Sequence, residues 1–122
     1  MGKTILVAVD SIETATLLRR ALQDNGYRAV VVESGRSAMA LARSEHPSLV
    51  VMDLGPADRS GLRSGTGFYR GLRGDPDLKG TPVVIIGDVR GPDLAVDEAT
   101  AFIEEPVDLD EFLSAVALTV GG

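Results

Sequence analysis

Five short runs of apolar residues, each bounded by polar or turn-forming residues, dominate the hydrophobic pattern of the chain. Short apolar runs without alternation are typical of strands that are buried on both faces of a parallel sheet. We predict strands at residues 5–9, 28–32, 48–53, 82–86 and 101–104. The third run ends on Asp53 and is isolated by Pro47 before it and by Gly55-Pro56 after it. Proline and glycine end regular structure, so this run is predicted to be a separate strand.

Between the strands, apolar residues recur three or four positions apart, which predicts amphipathic helices. Ser11 is a good N-cap for the first helix, and Asn25-Gly26 predicts its end. A second helix is predicted to open at Ser34 and to stop at Pro47. The predicted inward residues are Leu17, Leu18, Ala21 and Leu22 in the first helix and Ala38, Leu41 and Ala42 in the second.

The later helices are less uniform. Residues 67–73 predict a short helix weakened by Gly71, and residues 93–99 leave room for only about two helical turns. Residues 108–120 predict a clear amphipathic helix. Its apolar stripe consists of Leu109, Phe112, Leu113, Val116 and Val120.

This alternation of strands and helices predicts an α/β fold with a five-stranded parallel sheet and right-handed crossovers. With 122 residues, the chain is long enough for one hydrophobic core but not for two. We therefore expect a single domain that spans residues 1–122.

Composition narrows the function classes. Twelve Lys and Arg against 18 Asp and Glu give a formal net charge of −6 without a basic cluster, which argues against direct binding to nucleic acid. The chain has no cysteine, and no segment has the length of a membrane span or a signal peptide. We expect a cytoplasmic protein with no membrane partner. The lone His46, at the end of the second helix, is expected to be a surface residue.

Three local sequences resemble the response-regulator receiver domain, a family with a flavodoxin-like fold. They are His-Pro-Ser-Leu-Val-Val-Met-Asp at residues 46–53, Leu-Arg-Gly-Asp-Pro-Asp-Leu-Lys at 72–79, and Glu-Pro-Val-Asp-Leu-Asp-Glu-Phe at 105–112. The resemblance runs along nearly the whole chain. It implies strand order 2-1-3-4-5 with helices on both faces of the sheet, and it allows that the chain is a domain from a longer multidomain regulator.

The resemblance also implies where phosphoryl chemistry would take place. Asp53 stands at the phosphoacceptor position of the family. The acidic pair that holds Mg²⁺ in the family falls on Val9 and Asp10, so one acid is lost and the other is kept. Asp10 and Asp53 would then be the ligands for a weakly bound Mg²⁺, with no other cofactor expected.

At three further family positions the sequence departs from the pattern. Gly87 stands where a Thr or Ser binds phosphate oxygens, and Glu105 stands where a Lys before proline does so. Phe102, at the aromatic switch position, has no hydroxyl group. By the same resemblance, the Glu105-Pro106 peptide bond is expected to be cis.

The change from lysine to glutamate alters the local charge by two units. Asp10, Asp53 and Glu105 would converge without the cation that the family supplies. Three consequences remain open: a divalent ion between the carboxylates, an arginine that reaches in from Arg59, Arg63 or Arg90, or a raised carboxylate pKa. A site that has decayed and serves only the fold is a further alternative.

These departures favour a pseudo-receiver, a protein–protein interaction module in which phosphoryl switching is lost or strongly reduced, rather than an enzyme. Its expected partner is a regulator, a kinase or a downstream signalling or motility component, or a second copy of the chain. The alternative is a weak phosphoacceptor modified on Asp53. A flavin-binding protein is disfavoured because residues 10–14 contain two acids and no glycine.

Two surface features complete these expectations. The segments Arg59-Ser60-Gly61-Leu62 and Arg63-Ser64-Gly65-Thr66 resemble a tandem duplication that lengthens the loop after Asp53. Compared with the family that the chain resembles, the segment between Gly87 and Phe102 is about four residues shorter, so the helix predicted at residues 93–99 is curtailed. On the last helix, Leu118 and Ala115 are predicted to point away from the core and to form a partner interface.

Overall fold

The computed structural model describes residues 2–32, 35–55, 64–87 and 100–120. In chain order, the elements are β1 (Thr4–Ala8), α1 (Ile12–Asp24), β2 (Arg28–Val32), α2 (Gly35–Glu45), β3 (Leu49–Asp53), α3 (Ser64–Gly74), β4 (Val83–Ile86), β5 (Thr100–Ile103) and α4 (Leu109–Val120). The first half of the loop duplication, the arginines at 59, 63 and 90, and the predicted helical segment 93–99 lie outside the described residues. None of the described helices has both the length and the hydropathy needed to cross a membrane.

The five strands form one sheet in the order β2-β1-β3-β4-β5, and every neighbouring pair is parallel. This confirms the predicted flavodoxin-like topology. The continuous apolar runs arise because the central strands are covered on both faces, so neither set of alternating side chains meets water. All four residues of β4 are buried, whereas β2 and β5 lie at the edges of the sheet and are partly exposed.

The interior consists of two apolar clusters, one on each face of the sheet. Alternate residues of β1 point to opposite faces, so Ile5 and Val7 pack with α1 and α4, while Leu6 packs with α2 and α3. The central strands contribute to both clusters in the same way. The sheet edge that holds the carboxyl ends of the strands is therefore supported by helices on either side.

Helix α1 begins and ends where the sequence predicts. The Ser11 hydroxyl oxygen accepts a hydrogen bond from the Thr14 backbone N–H at 3.2 Å, and Gly26 follows the helix with φ of 86°. The prediction that Leu17 points inward is wrong, since 46% of it is exposed. Successive helical residues are 100° apart, so Leu17 cannot share the direction of Leu18, and Ala15 is buried in its place.

Helix α3 begins at Ser64, three residues before its predicted start, so the predicted range of 67–73 is too short. The reason is a close contact that only glycine allows. The Gly65 backbone N–H donates to the Leu54 carbonyl oxygen at 2.7 Å, and a Cβ at Gly65 would lie 2.3 Å from the Asp53 carbonyl oxygen. Gly71 is less restricted, since a Cβ there would lie 3.1 Å from the sulfur atom of Met39 on α2, a flexible side chain that can shift by a few tenths of an ångström.

Helix α4 is capped by Asp108, whose carboxylate accepts hydrogen bonds from the backbone N–H groups of Asp110 and Glu111 at 2.9 and 3.1 Å. The predicted start at residue 108 therefore corresponds to the N-cap rather than to the first helical residue. Phe112, Val116 and Val120 are buried, while Leu109 and Leu113 are partly buried against the same cluster. At the other end, the Lys3 ammonium group donates to the Val120 carbonyl oxygen.

Candidate functional site

Asp10 and Asp53 meet at the carboxyl ends of two adjacent strands. β1 and β3 pair in parallel with Ala8 opposite Met52, so the residues that follow each strand leave the sheet at the same edge. The Asp10 backbone N–H donates a hydrogen bond to Asp53 Oδ2 at 3.1 Å. This confirms the expectation that the two residues are neighbours. Val9, immediately before Asp10, is buried in the core and presents no polar group.

Gly87 and Glu105 lie at the same edge, beyond β4 and β5. The two strands pair with Ile86 opposite Ile103, and the Gly87 backbone N–H donates to the Ile103 carbonyl oxygen at 3.0 Å. Gly87 has φ of 122°, a conformation that residues with a Cβ rarely adopt. A Cβ at this position would lie 3.4 Å from Glu105 Oε1. The Glu105 carboxylate therefore lies beside the position that lacks a side chain.

The peptide bond between Glu105 and Pro106 is cis, as expected from the resemblance. Phe102 lies on the edge strand β5, opposite Ile85, and 38% of it is exposed. A switching role for Phe102 stays a prediction.

The charges at this edge change the acidity of Asp53. Partial burial of the carboxyl group raises the pKa of Asp53 above its usual value, and the negative charges of Asp10 and Glu105 raise it further. The hydrogen bond from the Asp10 backbone N–H favours the ionised form and so opposes part of this increase. The raised pKa of Asp53 corresponds to one of the three consequences left open by the sequence; the arginines at 59, 63 and 90 lie outside the described residues, and a divalent ion stays a prediction.

The donor set for a metal ion is small. Within the described ranges, no three His, Cys, Asp or Glu side chains are grouped so that they could hold a metal ion. Asp10 and Asp53 remain as a pair of carboxylates, and Mg²⁺ in proteins is often held by one or two carboxylates together with several waters. The pair thus fits a weakly bound, largely hydrated Mg²⁺, and its binding stays a prediction.

Gly65 supports the site in a way that sequence reasoning missed. Its contact with the carbonyl of Asp53 places the first turn of α3 directly against the end of β3. The sequence contained a signal, since Gly65 belongs to the repeated Arg-Ser-Gly pattern. The pattern alone indicates a loop, because the contact of Gly65 with Asp53 depends on tertiary packing.

The predicted interface residues on α4 differ in their surroundings. Leu118 is 86% exposed, which confirms that it lies outside the core. Ala115, by contrast, is partly buried and packs against the cluster formed with α1, and its carbonyl oxygen accepts a hydrogen bond from the Thr119 hydroxyl at 2.6 Å. Leu118 is therefore the main apolar contributor on the outer surface of this helix. His46 is exposed at the end of α2, in agreement with its expected surface position.

Comparisons with known proteins agree with the fold. The model of the family described as the response regulator receiver domain matches residues 5–117. The polar-differentiation response regulator DivK of Brucella ovis is 26% identical over 125 residues, covering 99% of this chain and 98% of that protein. The solved signal receiver domain of a signal transduction histidine kinase from Syntrophus aciditrophicus has a TM-score of 0.82 and 26% identity, covering 99% of this chain and 92% of the other.

The receiver domain of the sensor histidine kinase PA1611 from Pseudomonas aeruginosa PAO1, solved with magnesium in its active site cleft, has a TM-score of 0.82. Its identity of 19%, with full coverage of both chains, shows similarity of fold alone. The family match, in contrast, extends over nearly all of the sequence. The chain therefore belongs to the response regulator receiver domain family of two-component signalling.

Proposed function

We propose that this receiver domain is a pseudo-receiver, an interaction module of bacterial signal transduction in which phosphoryl switching is lost or strongly reduced. The observation that supports this most is the position of the Glu105 carboxylate. It lies next to Gly87, where the family resemblance places a hydroxyl group, and it occupies the position of the family's lysine. Neither residue offers a donor side chain to the oxygens of a phosphoryl group.

The physical argument concerns the charge that phosphorylation would add. An acyl phosphate on Asp53 places further negative charge where Asp10 and Glu105 already raise the pKa of that carboxyl group. Two unit charges at 4 Å interact by about 1 kcal/mol in water and by about 4 kcal/mol at an effective dielectric constant of 20. A lysine at position 105 would attract this added charge, whereas Glu105 repels it, and because Glu105 is exposed the lower of the two energies applies.

In this proposal the domain works through protein contacts in the cytoplasm, without enzymatic activity of its own. Its partner would be a regulator, a kinase or a downstream signalling or motility component. Direct contact with nucleic acid or a membrane is not part of the proposal, because the chain has a net charge of −6 and no basic cluster. Self-association through the exposed Leu118 is a further element of this proposal.

The proposal is tested by treating the purified protein with acetyl phosphate and Mg²⁺ and measuring its intact mass. We expect no lasting gain of one phosphoryl group, because neither Gly87 nor Glu105 can stabilise it. A receiver domain that keeps the family's lysine, treated in parallel, controls for the activity of the donor. A substantial mass gain that is absent in the Asp53→Asn variant would show that the domain is a working phosphoacceptor.

The second candidate function is a weak phosphoacceptor modified on Asp53. The contact between Asp10 and Asp53 favours it, because these two carboxylates are the part of the family's site that is kept. Mg²⁺ held by this pair would neutralise charge on the transferred group. Binding of beryllofluoride in the presence of Mg²⁺ separates the two candidates, since a pseudo-receiver should not bind it and a weak phosphoacceptor should.

A further inference from the structure

A groove on the surface lies between α1 and the carboxyl half of the edge strand β2. Its volume is about 660 Å³. One wall is a stripe of α1 that consists of Ile12, Ala15, Thr16 and Arg19. These residues are separated by the three- and four-residue steps that place side chains on one face of a helix. A volume of this size is within the range of pockets that bind small molecules.

The groove exists because α1 covers only part of the neighbouring strand. Ala29 and Val31 are two residues apart on β2 and therefore point to the same face of the sheet. Ala29 packs against the core cluster beneath α1, whereas 39% of Val31 is exposed. The exposed Val31 forms the second wall, with the buried Val32 next to it.

The groove presents apolar surface to solvent. Ile12 is 76% exposed, so Ile12 and Val31 together provide two of the five large hydrophobic side chains that are exposed in the described part of the chain. Ala15, which is buried, contributes to the floor between them. Clustered apolar side chains at the surface of a soluble protein often mark a binding site.

The charges of the groove are separated along its length. Arg19 stands at one end of the groove. In the described part of the chain, ion pairs are formed by Arg28 and by Arg43, and Arg19 takes part in neither. Thr16, one turn earlier on the same stripe, adds a hydroxyl group. Asp10 stands at the other end, beside Ile12, and the seven helical steps from Ile12 to Arg19 correspond to a rise of about 10 Å.

From this arrangement we propose that the groove binds a small amphiphilic carboxylate. The carboxylate group is recognised by the guanidinium group of Arg19 and the hydroxyl group of Thr16, because a guanidinium group matches the planar geometry of a carboxylate. The apolar chain of the ligand lies along Ala15 and Val31. Asp10 repels a second anionic group at the far end, so monocarboxylates are preferred over dicarboxylates of the same length.

The groove also touches the candidate phosphoryl site through Asp10. Asp10 lines the groove, and the backbone N–H of the same residue donates a hydrogen bond to the Asp53 carboxylate. A bound ligand is therefore expected to alter the environment of the Asp10 amide and of the Asp53 carboxylate that accepts its hydrogen bond. The proposal does not rest on the absence of phosphoryl switching, because none of the groove residues on α1 and β2 takes part in that chemistry.

The test is a titration of isotope-labelled protein with octanoate, followed through backbone amide NMR signals. We expect saturable shifts of the Thr16, Arg19 and Val31 amides with a Kd of about 1 mM, the range expected for a ligand of this size. Suberate, the dicarboxylate with the same number of carbons, should produce no saturable shift. The spectrum of each sample also reports whether the protein is folded.

Two variants with the same change of charge locate the binding. Arg19→Gln should weaken octanoate binding by about tenfold or more, because it removes a charged hydrogen-bond donor. Arg20→Gln should bind octanoate like the unaltered protein, since the exposed Arg20 does not line the groove. Absence of saturable shifts up to tens of millimolar, equal binding of suberate, or equal effects of the two variants would each overturn the proposal.

Discussion

Replacement of Glu105 by lysine tests whether this carboxylate acts on Asp53. Glu105 and Asp10 both raise the pKa of Asp53, in addition to the effect of burial. Glu105→Lys removes one negative charge and adds one positive charge at the same edge of the sheet, so the pKa of Asp53 should fall. Glu105→Gln removes only the negative charge and should produce a smaller decrease.

The size of the change follows from Coulomb's law. Because Glu105 is exposed, each unit of charge at this position is expected to interact with the Asp53 carboxylate by about 0.5–1 kcal/mol. This energy is at or below the value for two charges that lie 4 Å apart in water. The change of two units then amounts to about 1–2 kcal/mol. One pKa unit corresponds to 1.36 kcal/mol, so we expect the Glu105→Lys substitution to lower the pKa of Asp53 by about one unit.

The measurement is a carbon NMR titration of the Asp53 carboxyl group in the unaltered protein and in each variant. Glu104→Lys provides the matched control, because Glu104 is also exposed, is adjacent in sequence, and gives the same change in net charge. Equal decreases in the Glu104→Lys and Glu105→Lys variants would show that only net charge matters. No decrease in Glu105→Lys would refute the electrostatic reasoning altogether.

Three further predictions concern stability and association. Gly65→Ala should lower the free energy of unfolding by more than about 2 kcal/mol, because its Cβ would meet the Asp53 carbonyl oxygen. Gly67→Ala is the control: Gly67 lies in open space on the same helix, so this change should be neutral or should stabilise the protein by up to about 1 kcal/mol. Denaturant unfolding measures both variants. The pKa of Asp53 is raised in the folded protein, so ionisation of the Asp53 carboxyl group reduces the free energy of unfolding as pH rises through the folded-state pKa. Asp53→Asn removes this ionisation and should therefore stabilise the protein by up to about 1 kcal/mol at neutral pH. This gain should vanish below the unfolded-state pKa in unfolding curves recorded across pH, and a gain that does not change with pH would contradict the assignment. Leu118→Glu should change the unfolding free energy by less than about 0.5 kcal/mol yet reduce self-association in sedimentation velocity, and unchanged association would exclude Leu118 from an interface.

The framework of the fold could be predicted because its signals are local. Each buried strand is a continuous apolar run, and the pairing of Asp10 with Asp53 follows from the rule that parallel strands end at one edge. The inward direction of α1 was only partly predictable. Leu17 and Leu18 are equally apolar, and spacing alone does not decide which of two adjacent residues faces the sheet.

The details that were missed depend on tertiary contacts. The start of α3 depends on how closely Gly65 approaches the end of β3, and no propensity scale contains that distance. The Glu105 carboxylate lies beside Gly87, at 3.4 Å from where a Cβ of that residue would be, and this proximity depends on how the ends of β4 and β5 pack. Residue types at these positions could be read from the sequence, but their mutual geometry could not.

The contact between Lys3 and Val120 has a practical consequence for attaching other molecules to the domain. Lys3 precedes β1, so this contact lies at the amino edge of the sheet, while Asp53 lies at the carboxyl edge. The five residues of β1 separate the two edges by about 15 Å. A fluorophore, purification tag or fused domain that is attached near Lys3 or Val120 therefore lies at the edge of the sheet opposite to Asp53. Surface immobilisation through either point leaves the carboxyl edge open to partners in solution.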